Sequence, residues 1–238
     1  MRLGTGKILA PRPIKKVIMV AMGITAGAYI ARRFGDRYAG DTPIWTINNG
    51  CSALRADLCF DMHTKSCLLG ADTYTDWRHD KTGEFRKRFD AGELLELTAE
   101  YKKTGIDVVT LDGHDDTYEY PMQEVIDAFQ TDYFTVGAAY MIAYAMLCGV
   151  EEMELAGFDF VYGDHKLEEG RACFEYWLGR AWERGIKFIL PSFTSTLARD
   201  EISKKGLYGY GSDQPQFENI DGKMRLIGYG RGPASPAG

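Results

Sequence analysis

The stretch from Tyr133 to Tyr162 constrains the fold more than any other part of the chain. An almost uninterrupted run of small and apolar residues, Ala138 to Leu147, ends at Cys148-Gly149. A shorter segment follows from Glu151 to Ala156, with three glutamates beside Met153, Leu155 and Ala156, and Gly157-Phe158-Asp159 leaves it. The first run has the length of a buried helix and the second that of a buried strand, with glycine at both ends of the strand. The pattern predicts a helix, a strand and a loop, and a helix packed on a strand explains it without any function.

The rest of the sequence repeats this alternation. Further predicted strands are Lys15–Met22, Asp41–Asn49, Ala56–His63, Ile106–Leu111 and Ile186–Leu190. Predicted helices are Ala28–Phe34, Gly92–Lys103, Pro121–Phe129 and Leu167–Arg184, the last with Phe174, Trp177, Leu178 and Ala181 on one face. Strands alternating with helices favour an α/β fold with a single doubly wound, mainly parallel, Rossmann-like sheet.

Composition changes at both ends of this pattern. Residues 1–14 form a basic lead-in with glycine and proline, predicted to be irregular. Residues 15–202 carry the alternation and are predicted to be one nucleotide-binding domain, which a chain of 238 residues can accommodate. Residues 203–238 are rich in glycine, tyrosine and proline, and we interpret them as a C-terminal extension rather than a second domain.

The charge and the cysteine content of the chain indicate which binding partners and which cellular compartment to expect. The net charge of −6 argues against a general nucleic-acid surface, although Arg78, Arg86, Lys87 and Arg88 leave a local basic groove open. The longest apolar candidate, Val17–Ile30, is too short to span a membrane. Five cysteines without a close pair favour reduced thiols and a cytoplasmic protein without a membrane partner.

Polar residues follow most of the predicted strands. They are Thr25, Asn48 and Asn49, Asp61 and His63, Asp112 and His114, and Asp159, Tyr162 and His165. The carboxyl ends of parallel strands share one edge of a sheet, so these groups are expected to converge there. A histidine in such a cluster can act as a general base near neutral pH.

Structural explanations stay open beside the functional ones. His63 can equally be a hydrogen-bonding residue that ends a strand, and His165 an exposed loop residue. Asp61, His63, Asp112 and His114 have donor atoms that suit a metal, but their spacing matches no tight metal motif. The sequence contains no Walker A, HExxH or GxSxG motif.

Several residues of the central stretch resemble the bacterial sialyltransferases of glycosyltransferase family 42. The matching positions are Tyr140-Met141, Gly149 and Gly157-Phe158-Asp159-Phe160. His165 precedes Glu175-Tyr176 by ten residues, the spacing between that family's catalytic-base histidine and a Glu-aromatic pair. Asn48 stands where the family has an asparagine that contacts the donor nucleotide.

The resemblance implies a metal-independent glycosyltransferase that takes a nucleotide-sugar donor and needs no cofactor. His165 would deprotonate the acceptor hydroxyl, Tyr162 would bond the leaving phosphate, and Asp159 would position the loop. The residues implied to contact the donor are Gly23, Thr25, Asn48, Asn49, Thr135, Gly137 and Tyr140. The first loop, Met22–Gly27, lacks the family's Gly-Asn-Gly-Pro-Ser sequence, so the identity of the donor stays open. The chain can also assemble into a homo-oligomer, which the sequence leaves open.

Three alternatives remain. Trp45–Asn48 and Asp61-Met62-His63 resemble phage-encoded proteins, which implies an acceptor hydroxyl on a modified DNA base. A weaker similarity to MptE-like pterin diphosphokinases implies an enzyme using ATP and magnesium, with Asp61, Asp112 and Asp159 as candidate ligands. A non-catalytic protein that sequesters a nucleotide is the third.

Overall fold

The computed structural model describes residues 7–23, 25–27, 42–48, 50, 54, 56–69, 91–160, 165–191, 194, 196–198, 214–221 and 223–230. The chain divides into two units, Met1–Pro191 and Ser192–Gly238. Each unit is described by itself.

The first unit is built on one parallel sheet of eight strands. They are β1 (Lys7–Ile8), β2 (Lys16–Val20), β3 (Ile44–Ile47), β4 (Leu58–Phe60), β5 (Asp107–Thr110), β6 (Tyr118–Glu119), β7 (Glu152–Ala156) and β8 (Lys187–Ile189). Their order across the sheet is β1-β6-β5-β4-β3-β2-β7-β8, and every pair is parallel. The predicted α/β, doubly wound sheet is therefore confirmed.

The central strands are buried on both faces. Val17 and Met19 of β2 belong to the main core, whereas Ile18 and Val20 belong to a second core on the opposite face. Successive side chains of a strand point to opposite faces, so a strand covered on both sides needs an uninterrupted apolar sequence. This is why the segment around β2 lacks the alternating pattern of a half-exposed strand.

Five helices are described around the sheet. They are α1 (Lys65–Leu68), α2 (Ala91–Thr104), α3 (Met122–Phe129), α4 (Gly137–Leu147) and α5 (His165–Glu183). None of these described helices has both the length and the apolar character needed to cross a lipid bilayer.

The helix and strand predicted in the central stretch are confirmed. α4 ends at Cys148, and Gly149 follows with φ of 72°, the left-handed conformation that glycine adopts most readily after a helix. Residues Ala138 to Met146 are all buried except Tyr140, which is partly buried. The predicted apolar face of α5 is confirmed too, since Phe174, Trp177, Leu178 and Ala181 are all buried.

Two strands of the first unit were not predicted. The lead-in predicted to be irregular contains β1, which pairs with β6, a strand that the sequence also failed to indicate. Each has only two residues, too few for an apolar period to be recognised. The predicted helix Ala28–Phe34 and the basic residues Arg78, Arg86, Lys87 and Arg88 lie outside the described residues.

The second unit contains a hairpin within the glycine-rich extension. Strands β9 (Gln214–Ile220) and β10 (Lys223–Gly230) pair in antiparallel fashion, with an irregularity between Leu226 and Gly228. Asp221 turns the chain with φ of 53°. A short 3-10 helix, Thr196–Ala198, precedes the hairpin. The predicted boundaries at 14/15 and 202/203 remain predictions.

Candidate functional site

The order of the strands reverses direction between β2 and β7, which makes this position the topological switch point of the sheet. From β2 the chain steps outward through β3, β4 and β5 on one side, while β7 and β8 lie on the other. In open parallel sheets, ligands bind beyond the carboxyl ends of the strands where the order reverses. The loops that follow β2 and β7 therefore mark the expected position of a ligand.

Thr25 and Asp159 join these two loops. The backbone N–H and the side-chain hydroxyl of Thr25 both donate to Asp159 Oδ2, each at 2.6 Å. The Thr25 hydroxyl oxygen also accepts from the N–H of Gly157 at 2.8 Å. Both polar side chains are buried. Thr25, predicted to contact the donor, thus uses its own hydrogen-bonding groups within the protein.

The two loops touch through backbone atoms. The N–H of Gly23 donates to the carbonyl of Gly157 at 2.8 Å, and an alanine Cβ at position 23 would lie 2.5 Å from that same oxygen. Gly157 has φ of 76°, and a Cβ there would lie 2.2 Å from the carbonyl oxygen of Ala21. Two glycines at this crossing are therefore needed for close approach and, at Gly157, for the backbone conformation.

One carboxylate oxygen of Asp159 receives no hydrogen bond from the described residues. The residue is only 7% exposed, and among the described residues nothing hydrogen-bonds to its Oδ1. A buried carboxylate oxygen without a donor costs free energy, so such a group calls for an explanation. At a switch point, a ligand hydroxyl or amine would supply the missing donor.

The start of α4 lies over the ends of β3 and β4. An alanine Cβ at Gly137 would be 2.8 Å from Ile47 Cδ1 and 3.8 Å from Met62 Cγ. Val136 is the N-cap and provides no side-chain hydrogen bond, and helix geometry leaves the N–H groups of Gly137 and Ala138 without intrahelical carbonyls. The predicted role of Gly137 as a backbone donor is compatible with this position.

The other residues expected to contact the donor also have partners within the protein. The N–H of Thr135 donates to Cys173 Sγ at 3.4 Å, and its hydroxyl donates to the carbonyl of Glu169 in α5 at 3.3 Å. Asn48 has φ of 50°, and its N–H donates to the carbonyl of Phe60 at 3.1 Å. Asn48 thus ends β3 in a left-handed turn that asparagine tolerates well.

Tyr140 lies in an aromatic cluster rather than on an open surface. Its ring stacks on Phe134 at 4.5 Å between centroids and meets Tyr120 edge-on at 5.2 Å. Its backbone carbonyl accepts a hydrogen bond from the Tyr120 hydroxyl at 2.9 Å. Burial raises the pKa of Tyr140 above that of an ordinary phenol. The ring supports the helix start.

Two Asp-x-His pairs follow the neighbouring strands β4 and β5. His63 Nδ1 contacts Asp61 Oδ1, and His114 Nδ1 lies 2.6 Å from Asp112 Oδ1. A carboxylate on one ring nitrogen holds an imidazole in the Nδ1–H tautomer and turns Nε2 toward the opposite side. The pairs differ in access, because the His63 side chain is 35% exposed and the His114 side chain only 5%.

Lys65 and Asp115 complete this corner, and the sequence pattern indicated neither. The N–H of Lys65, at the start of α1, donates to Asp112 Oδ2 at 3.0 Å. Lys65 Nζ donates to Asp115 Oδ1 at 2.6 Å. The loops after β4 and β5 are thereby linked. Within the described part of the chain, no three His, Cys, Asp or Glu side chains are grouped as a metal site requires.

The remaining predictions fall partly or wholly outside the described residues. His165 begins α5, just beyond the loop after β7, but its side chain is not among the described groups. Tyr162 and Asn49 are outside the described ranges. The structure does place Asp61, His63, Asp112, His114 and the switch-point pair at the same edge of the sheet, as expected from the strand pattern.

Comparisons with known proteins add little. No protein-family model matches the sequence, and no curated protein matches it significantly. Among solved structures, the chain is similar to the sialyltransferase CstII from Campylobacter jejuni in complex with the substrate analogue CMP-3FNeuAc. The two share 16% identity and a TM-score of 0.46, over 78% of this chain and 83% of that one. Similarity this distant is not evidence of a shared activity.

Proposed function

We propose that the protein is a glycosyltransferase that uses a nucleotide-sugar donor. The observation that carries the proposal is the Thr25–Asp159 junction at the switch point, where a buried carboxylate retains an oxygen without a donor among the described residues. A hydroxyl-bearing ligand at the carboxyl edge of a doubly wound sheet would satisfy that oxygen.

The donor would lie along the edge of the sheet, across the ends of β4, β3, β2 and β7. Its phosphate fits best at the start of α4, where backbone N–H groups and the positive end of the helix dipole favour an anion. It fits poorly over Asp159, because a carboxylate repels a phosphate. The sugar would therefore reach toward Asp159 and the start of α5.

His165 is proposed as the base that activates the acceptor hydroxyl. Its backbone begins α5 directly beyond the loop after β7, and its ten-residue spacing to Glu175 matches the resemblance to family 42. In the step we propose, the acceptor O–H gives its proton to the imidazole, and its oxygen bonds to the anomeric carbon. The bond from that carbon to the phosphate oxygen breaks, and the nucleotide leaves with the electron pair.

The diphosphokinase alternative has less support. It requires carboxylates directed at magnesium, whereas Asp61 meets His63, Asp112 accepts from Lys65, and Asp159 accepts from Thr25. No specific contact among the described residues favours an acceptor on a modified DNA base over another hydroxyl, so the acceptor is left to experiment.

We also propose that the transfer reaction needs no metal ion.

Donor hydrolysis provides the test, since water can serve as acceptor. Purified protein in EDTA is incubated with CMP-N-acetylneuraminate, UDP-glucose and GDP-mannose, and released nucleotide is measured by chromatography. We expect release from one donor, lowered about 100-fold or more by His165→Ala, in line with the contribution of a general base. Lys187→Ala, at the amino end of β8, is the control. Full activity of His165→Ala, or activity only with added magnesium, would overturn the proposal.

A further inference from the structure

Three residues on one face of α5 pack against the segment that leads into α4, and the proposed catalytic step uses none of them. They are Gly170, Cys173 and Trp177, and all three are buried. Their spacing of three and four residues places them in one row along the helix, which we call the contact row. Residues 133–136 lie against this row, directly before Gly137, where α4 begins.

Cys173 holds the backbone of this segment through its thiol. The N–H of Thr135 donates to Cys173 Sγ, and the thiol donates to the carbonyl of Tyr133, each at 3.4 Å. Nε1 of Trp177 donates to the same carbonyl at 2.9 Å. Sulfur forms weak hydrogen bonds, but backbone groups shielded from water need a partner, and α5 supplies these partners. The path of the chain into α4 therefore depends on where α5 lies.

Gly170 lets α5 approach the start of α4 closely. An alanine Cβ at position 170 would lie 3.5 Å from Val136 Cβ and 3.6 Å from Phe160 Cε1. Val136 is the N-cap of α4, and Phe160 follows β7. These are ordinary van der Waals distances, so alanine fits there, whereas a larger side chain would push α5 away from the N-cap.

Phe134 connects the two helices by aromatic stacking. Its ring stacks on Trp177 of α5 with 4.9 Å between centroids, and on Tyr140 of α4 with 4.5 Å. Stacked rings are attracted to each other beyond the burial of their area, and they fill the space between the helices. The start of α4 and the middle of α5 are therefore packed as one unit.

The contact row joins the two helices that carry the proposed reaction. The donor phosphate is proposed to bind at the start of α4, and α5 begins at His165, the proposed base. Gly170 follows His165 by five residues, about 7.5 Å along a helix. A helix moves as a rigid element over this length, so a displacement of the contact row carries the backbone of His165 with it.

We propose that the contact row, with Cys173 at its centre, sets the separation between the His165 base and the donor held at the start of α4. The inference rests on the proposed function, because it assumes a donor and a base at these two places. Gly170 and Cys173 are then positioning residues that touch neither donor nor acceptor. Their effect on rate can be large, because a misplacement of about 1 Å can cost about 100-fold in turnover.

Cys173→Ala provides the first test, on the full chain. The donor is whichever of CMP-N-acetylneuraminate, UDP-glucose and GDP-mannose the wild-type protein hydrolyses, and kcat and KM are measured separately. We expect kcat to fall about 10-fold or more, with KM and the calorimetric Kd of the product nucleotide changed by less than about 2-fold. A residue that only stabilises the fold would lower the melting temperature and leave the kcat of the folded protein unchanged.

Two cysteine variants serve as controls. Cys173→Ser retains a group that can donate to the Tyr133 carbonyl and accept from the Thr135 N–H, so it should recover most of the lost kcat. Cys148→Ala removes another buried thiol, at the opposite end of α4, and should leave kcat unchanged. If Cys148→Ala lowers kcat as much as Cys173→Ala does, the loss reflects general loosening of the core, and the inference is wrong.

A pair of substitutions at Gly170 tests the same separation without removing a hydrogen bond, and it decides the question if Cys173→Ala does not fold. Gly170→Ala fits the available space and should leave kcat within about 2-fold of the wild type. Gly170→Val places further methyl groups against Val136, should push α5 outward, and should lower kcat about 10-fold or more at similar KM.

The outcomes separate this inference from the proposed function. Wild-type kcat in folded Cys173→Ala, or equal kcat in folded Gly170→Val and Gly170→Ala, overturns the role of the contact row and leaves the transferase proposal intact. If the wild-type protein hydrolyses no nucleotide sugar, the proposed function fails, and this inference fails with it.

Discussion

Thr25 and Asp159 are 134 residues apart in sequence, yet the N–H and the hydroxyl of Thr25 both donate to one carboxylate oxygen of Asp159 at 2.6 Å. The contact joins the loop after β2 to the loop after β7, at the point where the strand order reverses. A carboxylate acceptor strengthens both hydrogen bonds. The loops that define the candidate site are therefore held by a charged group shielded from water.

Thr25→Ala should lower the free energy of unfolding by about 1–3 kcal/mol, because it removes a donor from a buried carboxylate. It also removes the acceptor for the N–H of Gly157. Thr25→Ser retains the hydroxyl and should recover most of the loss. Urea denaturation measures the difference, and equal stability of the two variants would show that the hydroxyl contributes nothing.

Gly23→Ala should destabilise the protein by about 1–3 kcal/mol through overpacking. The added Cβ would lie 2.5 Å from a backbone oxygen and 2.8 Å from Asp159 Oδ2, and the backbone oxygen cannot rotate away. Gly27→Ala is the matched control, since no atom of the described residues lies within 4 Å of its Cβ position. Calorimetric melting temperatures compare them, and a Gly23→Ala protein as stable as Gly27→Ala would contradict the close approach.

Gly137→Ala should act more on ligand binding than on stability. Its Cβ would meet Ile47 Cδ1 at 2.8 Å, and the end of a side chain can move, so the expected cost in stability is below about 1 kcal/mol. Where the Ile47 side chain does not yield fully, the start of α4 shifts instead, and this shift should weaken nucleotide binding. Gly179→Ala, in α5, should stabilise the helix by about 0.5–1 kcal/mol, because the part of the chain that the structure describes leaves its Cβ position open to 4 Å. Calorimetric titration and urea denaturation distinguish these effects, and unchanged nucleotide affinity of Gly137→Ala would count against a site at the helix start.

Stability should fall as the pH rises above about 9, near the ordinary pKa of a thiol or phenol. Burial raises the pKa of Tyr120, Tyr144 and Cys148 in the folded protein. A raised folded-state pKa stabilises the protein below the unfolded-state pKa, and that contribution is lost as the pH rises toward the folded-state value. Urea midpoints measured from pH 7 to about pH 11 test this.

Tyr144→Phe is the matched variant for the alkaline experiment. It removes one of the buried phenols, together with its hydrogen bond to the carbonyl of Ala10 at 2.9 Å. We expect a lower midpoint at neutral pH and a shallower decline above about pH 9 than in the wild type, since one group fewer titrates. If the urea midpoint of Tyr144→Phe falls with pH as steeply as that of the wild type, ionisation of Tyr144 does not cause the alkaline loss of stability.

Sequence patterns predicted the elements with long apolar signals. α4 forms as expected because a buried helix requires a run of apolar residues, and the shorter β7 follows after Gly149, although Glu152 and Glu154 interrupt its apolar sequence. The face of α5 that contains Trp177 was likewise visible from spacing alone. The short β1 and β6 were not, because two residues make no period.

The site was predicted less completely than the fold. The strand pattern indicated which residues follow which strands, and so placed Asp61 and Asp159 at one edge. It could not indicate that Thr25 is engaged by Asp159, or that Lys65 links the loops after β4 and β5. Such contacts join residues far apart in sequence, and no local pattern records them.

The sequence by itself determined the class of fold and the polar residues at the carboxyl ends of the strands, because helix and strand periods and chain breaks are local properties. Only the tertiary structure decided the use of each polar group. It committed Thr25 to Asp159, enclosed His114 and left His63 partly exposed. The exposure and the partners of a side chain depend on which loops the sheet order brings together. The central helix thus has a sequence that requires burial, but its place beside the carboxyl ends of β3 and β4 comes from the packing of Ile47 and Met62 against its first turn.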